Sequence, residues 1–88
     1  MLEEIPSKSF EKSVKSLIKK HYDFTRLFLV INMLKNQTAL PNKFRNHYLK
    51  GDMQGYQECH IENDLLLIYK IDGDKLFLAE LGTHSDLF

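Results

Sequence analysis

The stretch from Leu65 to Leu81 reads LLLIYKIDGDKLFLAEL, and it decides the fold. Its two apolar runs are rich in leucine, isoleucine and aromatic residues, which is typical of strands at the centre of a sheet. The dipeptide Asp72-Gly73 between the runs is a strong hairpin signal, because these residues accept the turn that matches the twist of two strands. We therefore expect antiparallel strands at Leu65 to Ile71 and Lys75 to Leu81.

A third strand is predicted upstream, at Met53 to Ile61, so that the C-terminal half forms a β-meander. With Glu62-Asn63 as the preceding turn, His60, Leu65 and Glu80 share one row across three strands. The opposite face of the sheet is then the predicted core face, on which the helices should pack. The residues expected on that core face are Cys59, Leu66, Ile68, Phe77, Ala79 and Leu81.

Two amphipathic helices are predicted before the meander. The first follows Ser7, a residue type that favours the N-cap, and runs to about Lys20 with apolar side chains at i, i+4, i+7 and i+8. The second follows Asp23 and runs to about Asn36, with a broader apolar stripe. The pattern predicts an α+β fold, in which an N-terminal helical hairpin packs on a small antiparallel sheet. At 88 residues the chain, residues 1–88, is expected to be one compact domain.

Composition excludes several classes of protein. With 43% hydrophobic residues the chain is rich enough in apolar residues to fold, and its single cysteine excludes an internal disulfide and a cysteine-rich zinc site. No apolar run approaches the roughly 18 residues of a membrane span. The acidic start lacks the apolar stretch of a signal peptide, so a cytoplasmic protein with no membrane partner is expected. The absence of a glycine-rich phosphate loop argues against a nucleotide cofactor.

The net charge of zero hides an uneven distribution. Residues 1–38 contain seven Lys or Arg and four Asp or Glu, whereas residues 39–88 contain five and eight. Within the acidic half, the segment 38–51 is basic and contains no acidic residue. Cations interleaved with aromatics favour nucleic-acid binding, although a long surface loop is the alternative. The cations and aromatics of this segment are Lys43, Phe44, Arg45, His47, Tyr48 and Lys50.

Three histidines are candidates for chemistry. His47, His60 and His84 each lie at the end of a loop or strand, and Asp64 lies near the same predicted sheet edge. Such a cluster could bind zinc, but no histidine pair has the short spacing of a zinc motif. General acid–base catalysis near neutral pH is the other chemistry, and a metal-free ribonuclease requires it. Cys59 is expected to be a buried thiol rather than a nucleophile.

Five blocks of the sequence resemble the YafQ branch of the RelE superfamily, toxins of bacterial type II toxin–antitoxin pairs. The blocks are Leu40-Pro41, Asn46–Gly51, Glu58–Ile61, Asp64–Lys70 and Gly82–Phe88. The two amphipathic helices before them also fit the family, so the resemblance covers nearly the whole chain. The resemblance implies a RelE-like fold and a ribosome-dependent endoribonuclease that cleaves mRNA. In that reaction the 2′-hydroxyl attacks its own phosphate, leaving a cyclic phosphate and a 5′-hydroxyl, with no metal and no cofactor.

The resemblance also implies partners. A small DinJ/RelB-like antitoxin would wrap the toxin, and the complex of the two would bind operator DNA, which the toxin alone would not. The ribosome and mRNA would be the other partners. Because the ribosome would supply much of the RNA binding, a net charge of zero is compatible with this activity.

The functional residues implied by the resemblance fall into two groups. The expected catalytic residues are His47, His60, Asp64, His84 and Phe88. His60 with Asp64 would form the base side, His84 or His47 would be the acid, and Phe88 would stack on a nucleobase. The expected RNA-binding positions are Lys43, Arg45, Lys50 and Glu80.

Three positions depart from the family pattern. Glu80 and Gln57 stand where the family usually has arginine, and Leu65 stands where it often has tryptophan. A carboxylate at position 80 would repel the scissile phosphate, so activity could be reduced. The alternative hypothesis is therefore a homologue that retains antitoxin or ribosome binding and has lost catalysis. A metal-binding regulator is a third hypothesis, which requires stoichiometric zinc in the purified protein.

Overall fold

Five strands and three helices make up the structure, a computed structural model that describes residues 1–88. In chain order they are β1 (Glu3–Pro6), α1 (Lys8–Lys19), α2 (Thr25–Lys35), β2 (His47–Tyr48), β3 (Gln57–Glu62), β4 (Leu65–Asp72), β5 (Lys75–Thr83) and α3 (His84–Leu87). Short 3₁₀ turns at Asn42–Phe44 and Gly51–Met53 lie on either side of β2. The predicted α+β class is confirmed. None of the helices has the length and apolar composition needed to cross a membrane.

The sheet is mixed, with the spatial order β1-β5-β4-β3-β2. Strands β3 to β5 form the predicted antiparallel meander, and β2, which was not predicted, extends it as a short antiparallel edge. Strand β1 adds a parallel edge beside β5, where Glu3 pairs with Lys75 and Pro6 with Leu78. The sequence pattern predicts an extended start at residues 2–5 but not its membership of the sheet. Four residues are too few to show an alternation, so no local signal identifies this edge.

The predicted register between the strands is wrong by one residue at both turns. The turn residues are Gly73-Asp74 and Asn63-Asp64, because Gly73 (φ 62°) and Asn63 (φ 47°) supply the left-handed conformation at the first turn position. Further irregularities interrupt the pairing between His60 and Glu62 on β3 and at Ala79 on β5. Such bulges re-aim every side chain beyond them.

The row His60–Leu65–Glu80 therefore does not exist. His60 pairs with Leu66, which pairs with Gly82, whereas Glu80 pairs with Ile68. The shift also inverts β4 relative to the predicted core face. Leu67 and Tyr69, rather than Leu66 and Ile68, belong to the main core cluster beneath the helices.

Strand β4 is nevertheless the central strand that its apolar run predicts. Its four residues 66–69 are all buried, so both faces of the strand are covered. Cys59 and Leu81 lie in the main core as predicted, while Phe77 and Ala79 are half-buried outside it. On the helix face, α1 packs on β5 and α2 packs on β3. This leaves the opposite face of β3 and β5 to carry polar side chains.

Helix α1 begins at its predicted N-cap, and α2 begins one residue later than predicted. The Ser7 hydroxyl accepts a hydrogen bond of 2.9 Å from the Phe10 amide and caps α1. Asp23 lies one residue outside the N-cap of α2, yet its Oδ1 accepts hydrogen bonds from the Thr25 amide (2.9 Å) and hydroxyl (2.6 Å). Phe44 is 2% exposed and belongs to the core. It is therefore not one of the aromatics available to nucleic acid.

Candidate active site

The pairing of β2 with β3 brings two of the predicted histidines together around one carboxylate. His47 lies opposite Glu58, and His60 follows two residues later on the same face of β3. The Nε2 atoms of His47 and His60 lie 3.5 Å and 3.6 Å from the same oxygen, Glu58 Oε1, and the ring centroids are 6.4 Å apart. We call His47, Glu58 and His60 the histidine–glutamate cluster.

A backbone hydrogen bond sets the protonation pattern of His47. Its Nδ1 lies 2.8 Å from the carbonyl oxygen of Arg45. A carbonyl can only accept, so Nδ1 carries the hydrogen and Nε2 is the atom free to gain or release a proton. Arg45 adopts the left-handed conformation (φ 48°, ψ 45°), which is uncommon for a non-glycine residue.

Glu58 is a functional candidate that the sequence analysis missed. Its side chain is buried, at 3% exposure for the residue, although it carries a charge and has only the two histidines as ion-pair partners. Burial of a carboxylate is costly unless it is paired, so its presence in this position points to a role. The available signal was its spacing of two residues from His60, which puts both side chains on one face of a strand.

His84 and Phe88 form a second group at the end of the molecule. His84 begins the single turn α3, and its ring centroid is 5.1 Å from that of Phe88, which is 59% exposed. The turn is held by a capping box, in which Asp86 accepts from the Thr83 amide (3.1 Å) and Thr83 accepts from the Asp86 amide (3.2 Å). Phe88 therefore presents a ring face that a nucleobase could use.

The two groups lie at the same end of the sheet. The row from His60 through Leu66 to Gly82 spans two strand spacings, which is about 10 Å. His84 follows Gly82 by two residues.

Asp64 is exposed in the turn between β3 and β4 and makes no hydrogen bond or ion pair. The sequence analysis expected it to assist His60. The carboxylate beside His60 is that of Glu58 instead.

The predicted RNA-binding residues are divided between different places. Lys43 and Arg45 line a cavity of about 300 Å³ that also reaches His60, and Arg26 of α2, which was not predicted, contributes to the same cavity. Lys50 does not line it. Of the three Lys and Arg residues in the acid-free segment 38–51, Lys43 and Arg45 therefore lie at this cavity and Lys50 does not.

Glu80 occupies the row of Glu58 rather than that of His60. Both carboxylates pair with Ile68 of β4, on the face that also carries His60. Glu80 Oε2 accepts a hydrogen bond of 2.8 Å from the Ser9 hydroxyl. The carboxylate is thus held on the open face, two strand spacings from Glu58.

Gln57, the other departure from the family pattern, points to the helix face. Its Oε1 accepts hydrogen bonds from Asn46 Nδ2 (2.9 Å) and from the buried Tyr69 hydroxyl (3.1 Å), which also donates to Asn46 Oδ1 (2.6 Å). Burial raises the pKa of Tyr69. These bonds tie the loop before β2 to the sheet, which is a structural role.

Nucleophilic and metal chemistry have little support in the geometry. Cys59 is fully buried, and burial, with a smaller contribution from the Glu58 charge, raises the pKa of its thiol to about 12. A thiol in this state is a poor nucleophile near neutral pH. No group of three or more His, Cys, Asp or Glu side chains is arranged to hold a metal ion.

The sequence and the fold match one family of known proteins. A family described as "Bacterial toxin of type II toxin-antitoxin system, YafQ" matches residues 3–88. The chain belongs to the YafQ toxin family. The resemblance found in the five sequence blocks is confirmed.

Relatives of this YafQ-family chain include an enzyme and solved toxins. The mRNA interferase toxin YafQ of Escherichia coli K12 is 37% identical over 83 residues, which cover 93% of this chain and 90% of the relative. A metal-bound toxin from Helicobacter pylori is 41% identical, with a TM-score of 0.93 over 100% of both chains. The E. coli DinJ–YafQ complex is 34% identical, with a TM-score of 0.89 over 100% of this chain and 99% of that one.

Proposed function

We propose that this YafQ-family toxin is a ribosome-dependent endoribonuclease that cleaves mRNA. The observation that carries the proposal is the histidine–glutamate cluster, which holds two imidazole Nε2 atoms within 3.6 Å of one carboxylate oxygen. Imidazole is the side chain best matched to proton transfer near neutral pH. The name of the E. coli relative, an mRNA interferase toxin, supports the same reaction.

The reaction needs one base and one acid. The base takes the proton of the 2′-hydroxyl, the 2′-oxygen forms a bond to phosphorus, and the bond from phosphorus to the 5′-oxygen breaks. The acid gives a proton to that 5′-oxygen, which leaves a 2′,3′-cyclic phosphate and a 5′-hydroxyl. We assign the base side to His60, with Asp64 as the predicted auxiliary and Glu58 as the carboxylate in contact. His84 or His47 is the acid.

Substrate contacts come from the remaining predicted residues. Phe88 stacks on a nucleobase, which an exposed aromatic ring can do for any base. Lys43, Arg45 and Lys50 contact phosphates, and the ribosome holds the rest of the message. Glu80, on β5 and away from these cations, adds an unfavourable charge to the site.

The proposed setting is the bacterial cytoplasm, with a cognate antitoxin as partner. The DinJ–YafQ complex supports such a partner, because that relative was solved bound to DinJ. Operator DNA would be bound only through the complex of toxin and antitoxin.

The test is cleavage of a defined mRNA on ribosomes, with the cut sites mapped by primer extension and His84→Ala as the control. Cleavage by the unmodified protein, and its loss in the control, is the expected result. No cleavage, with tight antitoxin binding intact, would replace the proposal by the alternative of a homologue that only binds. Glu80 favours that alternative.

Metal analysis of the same protein tests the metal-binding hypothesis, since one relative is described as metal-bound.

A further inference from the structure

Three cations from separate parts of the chain converge on one cavity at the outer edge of β3. Arg26 comes from α2, Lys43 from the 3₁₀ turn and Arg45 from the residue that follows that turn, and together they line a cavity of about 300 Å³. His60 lines the same cavity from the sheet. The cavity thus joins the helix face of the sheet to the face that carries the histidine–glutamate cluster.

These cations lack strong anionic partners within the protein. Neither Lys43 nor Arg45 forms an ion pair, and the Lys43 ammonium lies 5.3 Å from the centre of the Phe44 ring. The one carboxylate of the cavity is Glu62, whose Oε2 accepts a hydrogen bond of 2.5 Å from the Tyr22 hydroxyl. The other oxygen of Glu62 lies 3.8 Å from Arg26 Nε, too far for a hydrogen bond.

Arg26 therefore keeps most of its donors free. Its side chain is 46% exposed, and only Nε faces Glu62. A guanidinium presents paired donors that match two oxygens of a phosphate, and Arg45 provides a second guanidinium in the same cavity. Three cations and one carboxylate line the cavity. An anion bound there is attracted by the cations and reduces the repulsion among them.

We infer that this cavity binds a phosphodiester of single-stranded RNA next to the scissile phosphate, with Arg26 as a contact. The inference rests on the proposed function, because the position of His60 in the cavity wall is what puts the bound phosphate beside the reacting one. The strand would pass from the open face around the edge of β3 and onto α2. The phosphodiester could belong to the message or to ribosomal RNA, which present the same chemistry.

The experiment measures RNA binding separately from cleavage. A fluorescent single-stranded RNA with methylated 2′-oxygens cannot be cut, and its Kd is measured against KCl concentration for the unmodified protein and for Arg26→Gln. For single strands the slope of log K against log salt changes by roughly 0.7 for each phosphate that the protein no longer neutralises. We expect the slope for Arg26→Gln to be shallower by about that much and Arg26→Lys to restore part of it.

The matched control is Lys19→Gln, which removes one positive charge from an exposed position on α1 outside the cavity. It should keep the slope of the unmodified protein. Glu58→Gln should also keep the salt slope of RNA binding, even if it abolishes cleavage. Loss of cleavage with an unchanged slope concerns the catalytic proposal alone, so the two proposals can fail separately.

A second titration with ribosomes that carry no message identifies the source of the phosphate. Weaker binding of Arg26→Gln to the RNA strand alone assigns the cavity to the message, and weaker binding to both RNA and empty ribosomes adds ribosomal RNA. An unchanged salt slope in Arg26→Gln overturns the inference. So does an unchanged RNA affinity combined with weaker antitoxin binding, which would assign the cavity to an acidic protein segment.

Discussion

Glu58 lies at the centre of the proposed active site. It is a buried carboxylate that contacts two imidazoles through one oxygen. His47 already donates from Nδ1 to the Arg45 carbonyl, so Nε2 is the ring atom that faces the Glu58 carboxylate. One carboxylate oxygen thus lies within 3.6 Å of the Nε2 atoms of both rings, and this geometry is the basis of the proposed acid–base chemistry.

Replacement of Glu58 by glutamine keeps the shape of this side chain and removes its charge. We expect Glu58→Gln to reduce cleavage by about 10²- to 10⁴-fold, the range typical of a missing acid–base contribution. Thermal stability should stay the same or rise, because a buried charge is removed. Ribosome-bound cleavage and the melting temperature are the measurements. Cleavage at the unmodified rate would show that Glu58 has no part in proton transfer.

Glu80 allows the electrostatics of the site to be changed without touching the cluster. It lies two strand spacings, about 10 Å, from Glu58 on the same face. At that distance and an effective dielectric of about 20, a unit charge contributes about 1.7 kcal/mol before salt screening. Because Glu80→Arg changes the charge by two units, we expect it to increase cleavage by roughly 10²-fold at low salt and by less as salt screens the charges.

The control for Glu80→Arg is Ser9→Ala, which removes the hydrogen bond to Glu80 and leaves its charge. That variant should change cleavage little. Lower activity in Glu80→Arg would contradict the electrostatic argument and assign the glutamate a positive role.

Among the elements, α3 is the smallest and the one that carries His84. Asp86 accepts hydrogen bonds that hold the turn, and those from the Thr83 amide and hydroxyl lower the pKa of the Asp86 carboxyl below its ordinary value of 3.8. A carboxyl whose pKa is lower in the folded state stabilises that state above 3.8 and loses this contribution as the pH falls through the folded value.

The turn α3 should therefore loosen in acid before the sheet does. We expect the amide NMR signals of Thr83 and Asp86 to move as the pH is lowered past 3.8, while signals of β4 stay in place. The variant Asp86→Asn has no carboxyl to titrate and should lack this transition. Movement of the same signals in Asp86→Asn would assign the transition to another group.

Sequence patterns identify the elements of this fold more reliably than the register between them. Apolar runs and N-cap residues locate β4, β5 and both long helices, because those signals are local. The choice between Asp72-Gly73 and Gly73-Asp74 as turn residues is a one-residue difference that composition does not resolve, and it inverts the faces of β4. Strand β1 pairs with a strand more than 70 residues away in sequence, so the residues around β1 contain no signal that identifies its partner.

The sequence predicts those residues of the candidate site whose side-chain types are suited to proton transfer or to stacking. His47, His60, His84 and Phe88 were chosen by type and by family resemblance, and their roles stay predictions. The positions of Glu58 and Arg26 follow from strand pairing and from the packing of α2 against the sheet. Those long-range contacts cannot be read from the neighbours of either residue in sequence.

At the scale of the whole molecule, the side chains that form the core differ from those proposed to act in cleavage. The main core lies between the sheet and the helices, where Leu67 is fully buried, whereas Phe88 is 59% exposed at the terminus. We expect Leu67→Ala to cost about 2–5 kcal/mol in the free energy of unfolding, because apolar burial is reduced and a cavity is left behind. Phe88→Ala should change stability by less than about 0.5 kcal/mol and reduce cleavage.

Denaturant unfolding and ribosome-bound cleavage together check this separation. The expected pattern is a large loss of stability for Leu67→Ala and a selective loss of activity for Phe88→Ala. Strong destabilisation by Phe88→Ala would mean that its ring is part of the core and not free to stack on a base.

The parallel pairing of β1 with β5 has a consequence for how the toxin is made. Strand β1 bonds to residues 75–78, more than 70 residues later in the chain. During synthesis β1 is therefore made long before its partner, and the long loop between them must close before the sheet is complete. A nascent chain without β5 has an incomplete sheet and lacks His84, a residue of the proposed site. Under the proposed function, the nascent chain cannot act on the ribosome that makes it until β5 and α3 have been made.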